Sequence, residues 1–305
     1  MSKVMRVTGT LAATAAIALT AVGTASADAA ATPDNVTVAT AVDALGNQVV
    51  DTIQTDGLIF DRTRPAGGAI SEPGLRVEAP TTAVSLTARP YDAFVLQFAE
   101  NGTVFQVTST APGIWNNNRT LGTGLGTVSA LASTSRPDGS VIVNIVADKG
   151  IYTVSEMTNG DTVAPFLLDT TPTTAVALTT LPNGDVRQES IQDGQLVERT
   201  LTSDGWGAKT VVGSLTGLTG VATTALHNGN QLIDVLDQDG RVYELTHKAA
   251  GATTGPILLN ENTGSTSVAL STRPNGDAAQ EVVNNHQLLE RVRHNGVWGG
   301  QTPID

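Results

Sequence analysis

The sequence contains no cysteine, which rules out disulfides, thiol catalysis, zinc ribbons and iron–sulfur centres as sources of stability or chemistry. Aromatic residues are scarce at 4%, with three tryptophans among 305 residues. Basic residues are also few: 17 Lys+Arg stand against 29 Asp+Glu, a formal net charge of −12. Binding to nucleic acid or to an anionic membrane depends on Lys and Arg neutralising phosphate, so this balance argues against both partners. No stretch beyond the N-terminal region carries an apolar pattern of period 3.6, and Pro and Gly interrupt every candidate helix. The four histidines, His227, His247, His286 and His294, occupy no equivalent positions and join no carboxylates at metal-ligand spacing. The sequence therefore predicts no metal and no cofactor. A Gly-x-Ser-x-Gly elbow is missing, and "SDGWG" at 203–207 lacks the spacing of a sialidase Asp-box, so no catalytic residues are assigned.

The only long apolar run lies at the start. Lys3 and Arg6 precede a stretch of Ala, Thr, Leu, Ile and Val from Thr8 to Gly23, and Ala25-Ser26-Ala27 follows. This is the pattern of a secretory signal peptide over 1–27, with cleavage before Asp28. The mature chain would then carry 15 Lys+Arg against 29 Asp+Glu, net −14. The C-terminal "GGQTPID" has neither an apolar tail nor a basic stop, so a released extracellular protein is expected.

What fills the remaining chain is a repeat. One set of turns runs through Gly46, Ala93, Gly139, Gly184, Gly229 and Gly276, with spacings of 47, 46, 45, 45 and 47. A second set, Gly57, Gly102, Gly150, Gly194, Gly240 and His286, is spaced by 45, 48, 44, 46 and 46. Two landmarks in step define six units, at about 32–80, 81–126, 127–172, 173–217, 218–264 and 265–305. Each unit opens with a strand of small residues such as "TAVALTT" or "TSVALST". An Asn-Gly or Asp-Gly turn follows, then an alternating strand, the second turn and a third strand such as "LVERTL" or "LLERVR". A looser Gly-rich turn leads to a fourth segment. Four short antiparallel strands per 46 residues predict an all-β chain, a six-bladed β-propeller of four-stranded blades over 28–305. The small first strands suit the crowded axis, and the larger residues Phe166, Leu167, Leu168, Leu258 and Leu259 suit the periphery. Trp115, Trp206 and Trp298 occur in the even repeats, where the odd ones have "PAGG", "TNGD" and "AGAT", which indicates a two-blade unit used three times.

The PNG–strand–DG–"LxER"–"GxWG" repeats resemble secreted lectin-like β-propellers of bacteria and fungi, of the tachylectin-like, PLL-type and six-bladed fucose-binding kinds. In the last group, an arginine, a glutamate on the next strand and a nearby aromatic form sugar pockets between blades. The resemblance implies Arg187, Glu198 and Trp206 as the matching set in repeat four. Repeat six has Ala279, Glu290 and Trp298 there, repeat five has Leu232 and Glu244, and repeat two has Leu96, Gln106 and Trp115. On the residues themselves two readings stand for each group. The tryptophans either stack on sugar rings or serve as spacers between blades, and Glu198, Glu244 and Glu290 either accept hydrogen bonds from sugar hydroxyls or solubilise an outer face. Arg199 and Arg291 alternate with the glutamates and point to the opposite face.

The sequence reading is thus a secreted, non-catalytic binding protein whose partner is a glycan. The alternatives are an extracellular or cell-surface protein as partner, or a hydrolase or lyase working at the axial funnel. Oligomeric state is not legible.

Overall fold

Strand alternation bounded by tight turns dictates antiparallel hairpins, and those hairpins form. The computed structural model describes residues 35–90, 93–111, 114–261 and 263–304, so the predicted signal segment 1–27 lies outside the described residues. Every element among them is a β-strand. Blade 1 comprises β1 (Asn35–Val42), β2 (Gln48–Gln54), β3 (Ile59–Arg64) and β4 (Gly74–Val77). Blade 2 comprises β5 (Ala83–Arg89), β6 (Ala93–Glu100), β7 (Thr103–Ala111) and β8 (Ile114–Gly122). In blade 3 the strands are β9 (Val128–Ser135), β10 (Val141–Ala147), β11 (Gly150–Glu156) and β12 (Thr162–Asp169). Blade 4 has β13 (Thr173–Thr180), β14 (Val186–Gln192) and β15 (Gln195–Thr202), with the fourth strand split into β16 (Gly205–Trp206) and β17 (Thr210–Val211). Blade 5 follows with β18 (Leu218–Ala225), β19 (Gln231–Asp237), β20 (Val242–His247) and β21 (Thr253–Asn260). Blade 6 repeats the split edge: β22 (Ser265–Thr272), β23 (Ala278–Asn284), β24 (Gln287–His294), β25 (Val297–Trp298) and β26 (Thr302–Pro303).

The six first strands adjoin one another in a closed cycle, with β22 beside β1, so the sheets form a six-bladed propeller. Their Ser, Thr, Ala and Val side chains line a narrow axial channel of about 270 Å³. The core is divided into layers, each made by the facing sides of two neighbouring blades. Ile191 and Leu196 of blade 4 pack on Ile233, Val235 and Leu245 of blade 5, and Val49 and Ile53 of blade 1 pack on Phe94, Leu96 and Phe98 of blade 2. At the periphery Phe166, Leu167 and Leu258 are exposed, as their positions on β12 and β21 require.

The two sets of turns do different work. Gly184 in the first set has φ +87°, and a Cβ there would meet open space. Gly240 in the second set has φ +78°, and a Cβ would come within 2.6 Å of the Gly264 and Ser265 backbone nitrogens. Gly57, Gly102 and Gly150 press in the same way on the linker that leads into the following blade. Hydrogen bonds from Thr81 N to Gly57 O (2.9 Å) and from Leu218 N to Gly194 O (3.0 Å) fasten the linker at that point. His286 takes the same left-handed conformation, φ 66°, where the other blades have glycine. One landmark shifts: Thr87 pairs with Val95 as Thr179 pairs with Arg187, so the counterpart of Arg187 in blade 2 is Val95 and not Leu96.

Among the described residues no strand is exchanged between the first and last blades, since each sheet is built from consecutive strands. Closure instead rests on side chains. Val38 and Val50 pack on Ala269, Val283 and Leu288, Thr266 Oγ1 donates to Val36 O (3.0 Å), and Arg64 pairs with Glu290 (2.5 Å).

Gly184→Ala should cost about 1–2 kcal/mol, the left-handed penalty alone, whereas Gly240→Ala should cost about 3 kcal/mol because the linker backbone must also move. Urea denaturation of the two variants checks this; equal losses would mean that the second turns do not brace the linkers.

Candidate functional site

Both faces of a blade are buried against neighbours, so residue parity in the second and third strands decides which interface a side chain enters. Arg187, Glu189 and Ile191 point from blade 4 towards blade 5, and Glu198 shares that side: Arg187 Nη1 donates to Gln231 Oε1 (2.7 Å), and His247 Nδ1 lies 3.5 Å from Glu198. Trp206 points the other way. It packs with Leu178, Val186 and Leu201 against Ile142 and Ile151 of blade 3, beneath the Arg199 guanidinium at 5.7 Å. The expected set of Arg187, Glu198 and Trp206 is therefore not one site. Arg187 and Glu198 do meet, 3.7 Å apart, while Trp206 belongs to the interface behind them.

The other two tryptophans repeat the position of Trp206. Trp115 packs between blades 1 and 2 with Arg76 4.2 Å above its ring, and Trp298 between blades 5 and 6 with Arg291 at 4.9 Å. Trp298 also joins two residues that the sequence put in separate repeats, donating its indole N–H to Glu244 Oε2 (2.8 Å). All three rings are half-buried, each stacked with a cation as the quadrupole of an indole favours. Interfaces 1/2, 3/4 and 5/6 are thus filled by tryptophan.

Interfaces 2/3, 4/5 and 6/1 hold cations around a glutamate with no tryptophan, whereas 5/6 has both, Arg293 lying 3.6 Å from the Glu244 that accepts from Trp298. Arg89 (2.5 Å) and Arg119 pair with Glu156 between blades 2 and 3. Between blades 4 and 5 Glu198 lies beside Arg187 and His247. Between blades 6 and 1 Glu290 receives Arg64 through both terminal nitrogens, at 2.5 and 2.8 Å, and Arg273 at 3.0 Å. There a groove of about 610 Å³ opens at the end of the first-turn loops, between Arg64, Arg273, Pro274 and the small residues Ala66, Gly67 and Gly68. The tryptophan of the even blades is replaced here by the "PAGG" loop, and space remains.

Solubility does not explain the glutamates. Glu244 and Glu290 are 3% and 7% exposed, because a blade between two neighbours has no solvated broad face. Directly across from them, and from Glu198, stand acids on the second strand that sequence reasoning missed: Asp51 opposite Asp61, Glu189 opposite Glu198, Asp234 opposite Glu244 and Glu281 opposite Glu290. Gln97 and Asn144 hold the same place in blades 2 and 3. Each stands five residues after the first-turn glycine in five of the blades, a fixed offset that marks the set. All four acids are fully buried. Burial, reinforced by the facing carboxylate, raises Asp51, Glu189 and Glu281 to about 8; burial raises Asp234 to about 7 against a hydrogen bond from Gln280. Like charges directly opposite would repel, and a retained proton removes one of them.

The axial channel offers no such chemistry. Its walls carry hydroxyl and aliphatic residues, with no Asp, Glu or His among the described lining residues.

In the unfolded chain these acids ionise near 3.8 and 4.5, while in the fold they keep their protons towards 8. The folded state binds more protons across that window, so stability should fall as pH rises from about 5 to about 8.5. His247, lowered by burial and by Arg187, opposes this slope only below its ordinary 6.5. Urea midpoints measured across the range should decline with pH, and Glu189→Gln with Glu281→Gln should flatten the decline by about half, two of four groups being removed. A pH-independent midpoint in the parent chain would refute the assignment.

Neither a family model nor a curated protein matches the sequence. Solved structures do match its fold. The BP39L lectin from Burkholderia pseudomallei superposes with a TM-score of 0.67 at 16% identity, covering 90% of this chain and 85% of that one. AofleA from Arthrobotrys oligospora gives 0.69 at 15% identity, over 89% and 87%. The Aleuria aurantia lectin, a six-bladed β-propeller with a fucose recognition mode of its own, gives 0.68 at 13% identity, over 89% and 98%. This chain has the six-bladed propeller fold of those lectins.

Proposed function

We propose that the protein is an exported carbohydrate-binding propeller that takes glycan in the clefts between blades rather than along its axis. The observation that carries this reading is the groove between blades 6 and 1, where Arg64, Arg273 and Glu290 converge beside small and apolar walls. Sugars need that combination: fixed donors and acceptors for hydroxyls, and an apolar surface for the ring. The propeller fold shared with known lectins supports it, and the sequence pattern of 1–27 supports export. Arg187 and Glu198 form a second, narrower candidate, whereas Trp115, Trp206 and Trp298 hold blades together; Glu244 belongs to that same structural contact.

A second reading has its own observation. Val163, Phe166 and Leu167 on β12, with Ile257 and Leu258 on β21, leave apolar side chains on the outer strands of blades 3 and 5. Such surface suits an extracellular protein partner.

A glycan array probed with the full chain should show binding, and Glu290→Gln or Arg273→Ala should weaken it at least about tenfold, the loss of one charge-assisted hydrogen bond. Silence across the array at high protein density would sink the carbohydrate reading. Unchanged binding by both variants would move the site elsewhere.

A further inference from the structure

The charge of the 6/1 groove runs against that of the chain. The protein has a net charge of −12. In the groove, however, two guanidiniums, Arg64 and Arg273, converge on one carboxylate, Glu290, while burial raises the facing Glu281 to about 8. The Glu281 carboxyl is further occupied by Gln48 Nε2 at 2.5 Å and leaves the arginines to Glu290. The corresponding interface between blades 4 and 5 differs in kind. There one arginine faces one glutamate, and His247 is held towards its neutral form, so the local charge cancels.

The donors are also unequally used. Arg64 spends both terminal nitrogens on Glu290 and Gln48. Arg273 gives Glu290 one contact through Nη2, and its other guanidinium N–H groups meet no acceptor among the described residues. Its side chain remains partly open, at 25% exposure. Next to it the floor is stripped of bulk: Ala66, Gly67, Gly68 and Ala69 stand where a tryptophan fills the alternate interfaces. A planar guanidinium with free N–H groups beside an open cleft is built for a bidentate carboxylate.

We propose that this groove binds a carboxylated sugar, such as a uronic acid of an extracellular polysaccharide. Arg273 is the partner of the ligand's carboxylate, and Glu290 receives its hydroxyl groups. The inference rests on the carbohydrate-binding reading and narrows it to one substrate class. Arg64 holds Glu290 in place from blade 1, so ligand and ring closure share the same glutamate.

Calorimetric titration of the full chain with methyl glucuronide, methyl glucoside, methyl α-L-fucoside and sodium acetate tests it. The glucuronide should bind at least about tenfold tighter than the glucoside, weaken as salt rises from 50 to 300 mM, and outbind acetate by a similar margin. Arg273→Ala should abolish the preference for the acidic sugar, and Ala66→Trp, which fills the groove from an exposed loop, should abolish binding at an unchanged urea midpoint. If fucoside or glucoside binds as well as the glucuronide, the acidic-sugar proposal falls and the lectin reading stands. If none of these sugars binds, the acidic-sugar proposal falls while the lectin reading is decided by the array; if acetate matches the glucuronide, the site recognises charge alone and the proposal is overturned.

Discussion

Each blade is a sheet with no solvated broad face. Both of its sides are pressed against neighbours, and the strict alternation of its middle strands assigns every side chain to one of two interfaces. From that constraint the rest follows. Hydrophobic burial is spread over six layers rather than gathered in one core. Polar residues on the middle strands find partners across an interface or stay neutral, which is why Glu189 and Glu281 keep their protons and receive Gln231 and Gln48. Arg187 and Trp206, close in sequence and in the same blade, cannot act on one ligand.

The six interfaces fall into two alternating kinds. In one kind an indole under a guanidinium fills the gap, and in the other cations surround a glutamate with no indole beside them. Filling half of the interfaces with tryptophan helps to secure the ring, and the widest groove opens at one of the others. The 6/1 interface carries an added duty, because it closes the ring without a shared strand. A protein that binds there would couple ligand affinity to closure.

Much of this was legible in the sequence. The period, the blade count and the strand order could be read from two sets of turns, and His286 marked a left-handed position by its place in the series. The even–odd difference among Trp115, Trp206 and Trp298 foretold the alternation of interfaces. The direction in which each face points could not be read, since a period of two separates the faces without saying which neighbour each one meets. The glutamates of the "LxER" strands were open to a solubility role for the same reason: alternation looks alike whether the second face meets water or another blade. The buried acids five residues past the first turn in four of the blades were visible as a pattern, but no local rule links such a position to burial. The Leu96 alignment failed by one residue because Ala93 stood in for a glycine in the series.

That each described sheet is built from consecutive strands has a topological consequence. Every covalent link between blades joins two finished sheets, so each of the five is an equivalent place at which the described chain could be opened. A circular permutant joined between blades 6 and 1 and cut before β5 would contain the same six sheets with the same hydrogen-bonded ladders. The covalent order of the blades is thus separable from their spatial order, and what fixes the ring is the complementarity of its faces.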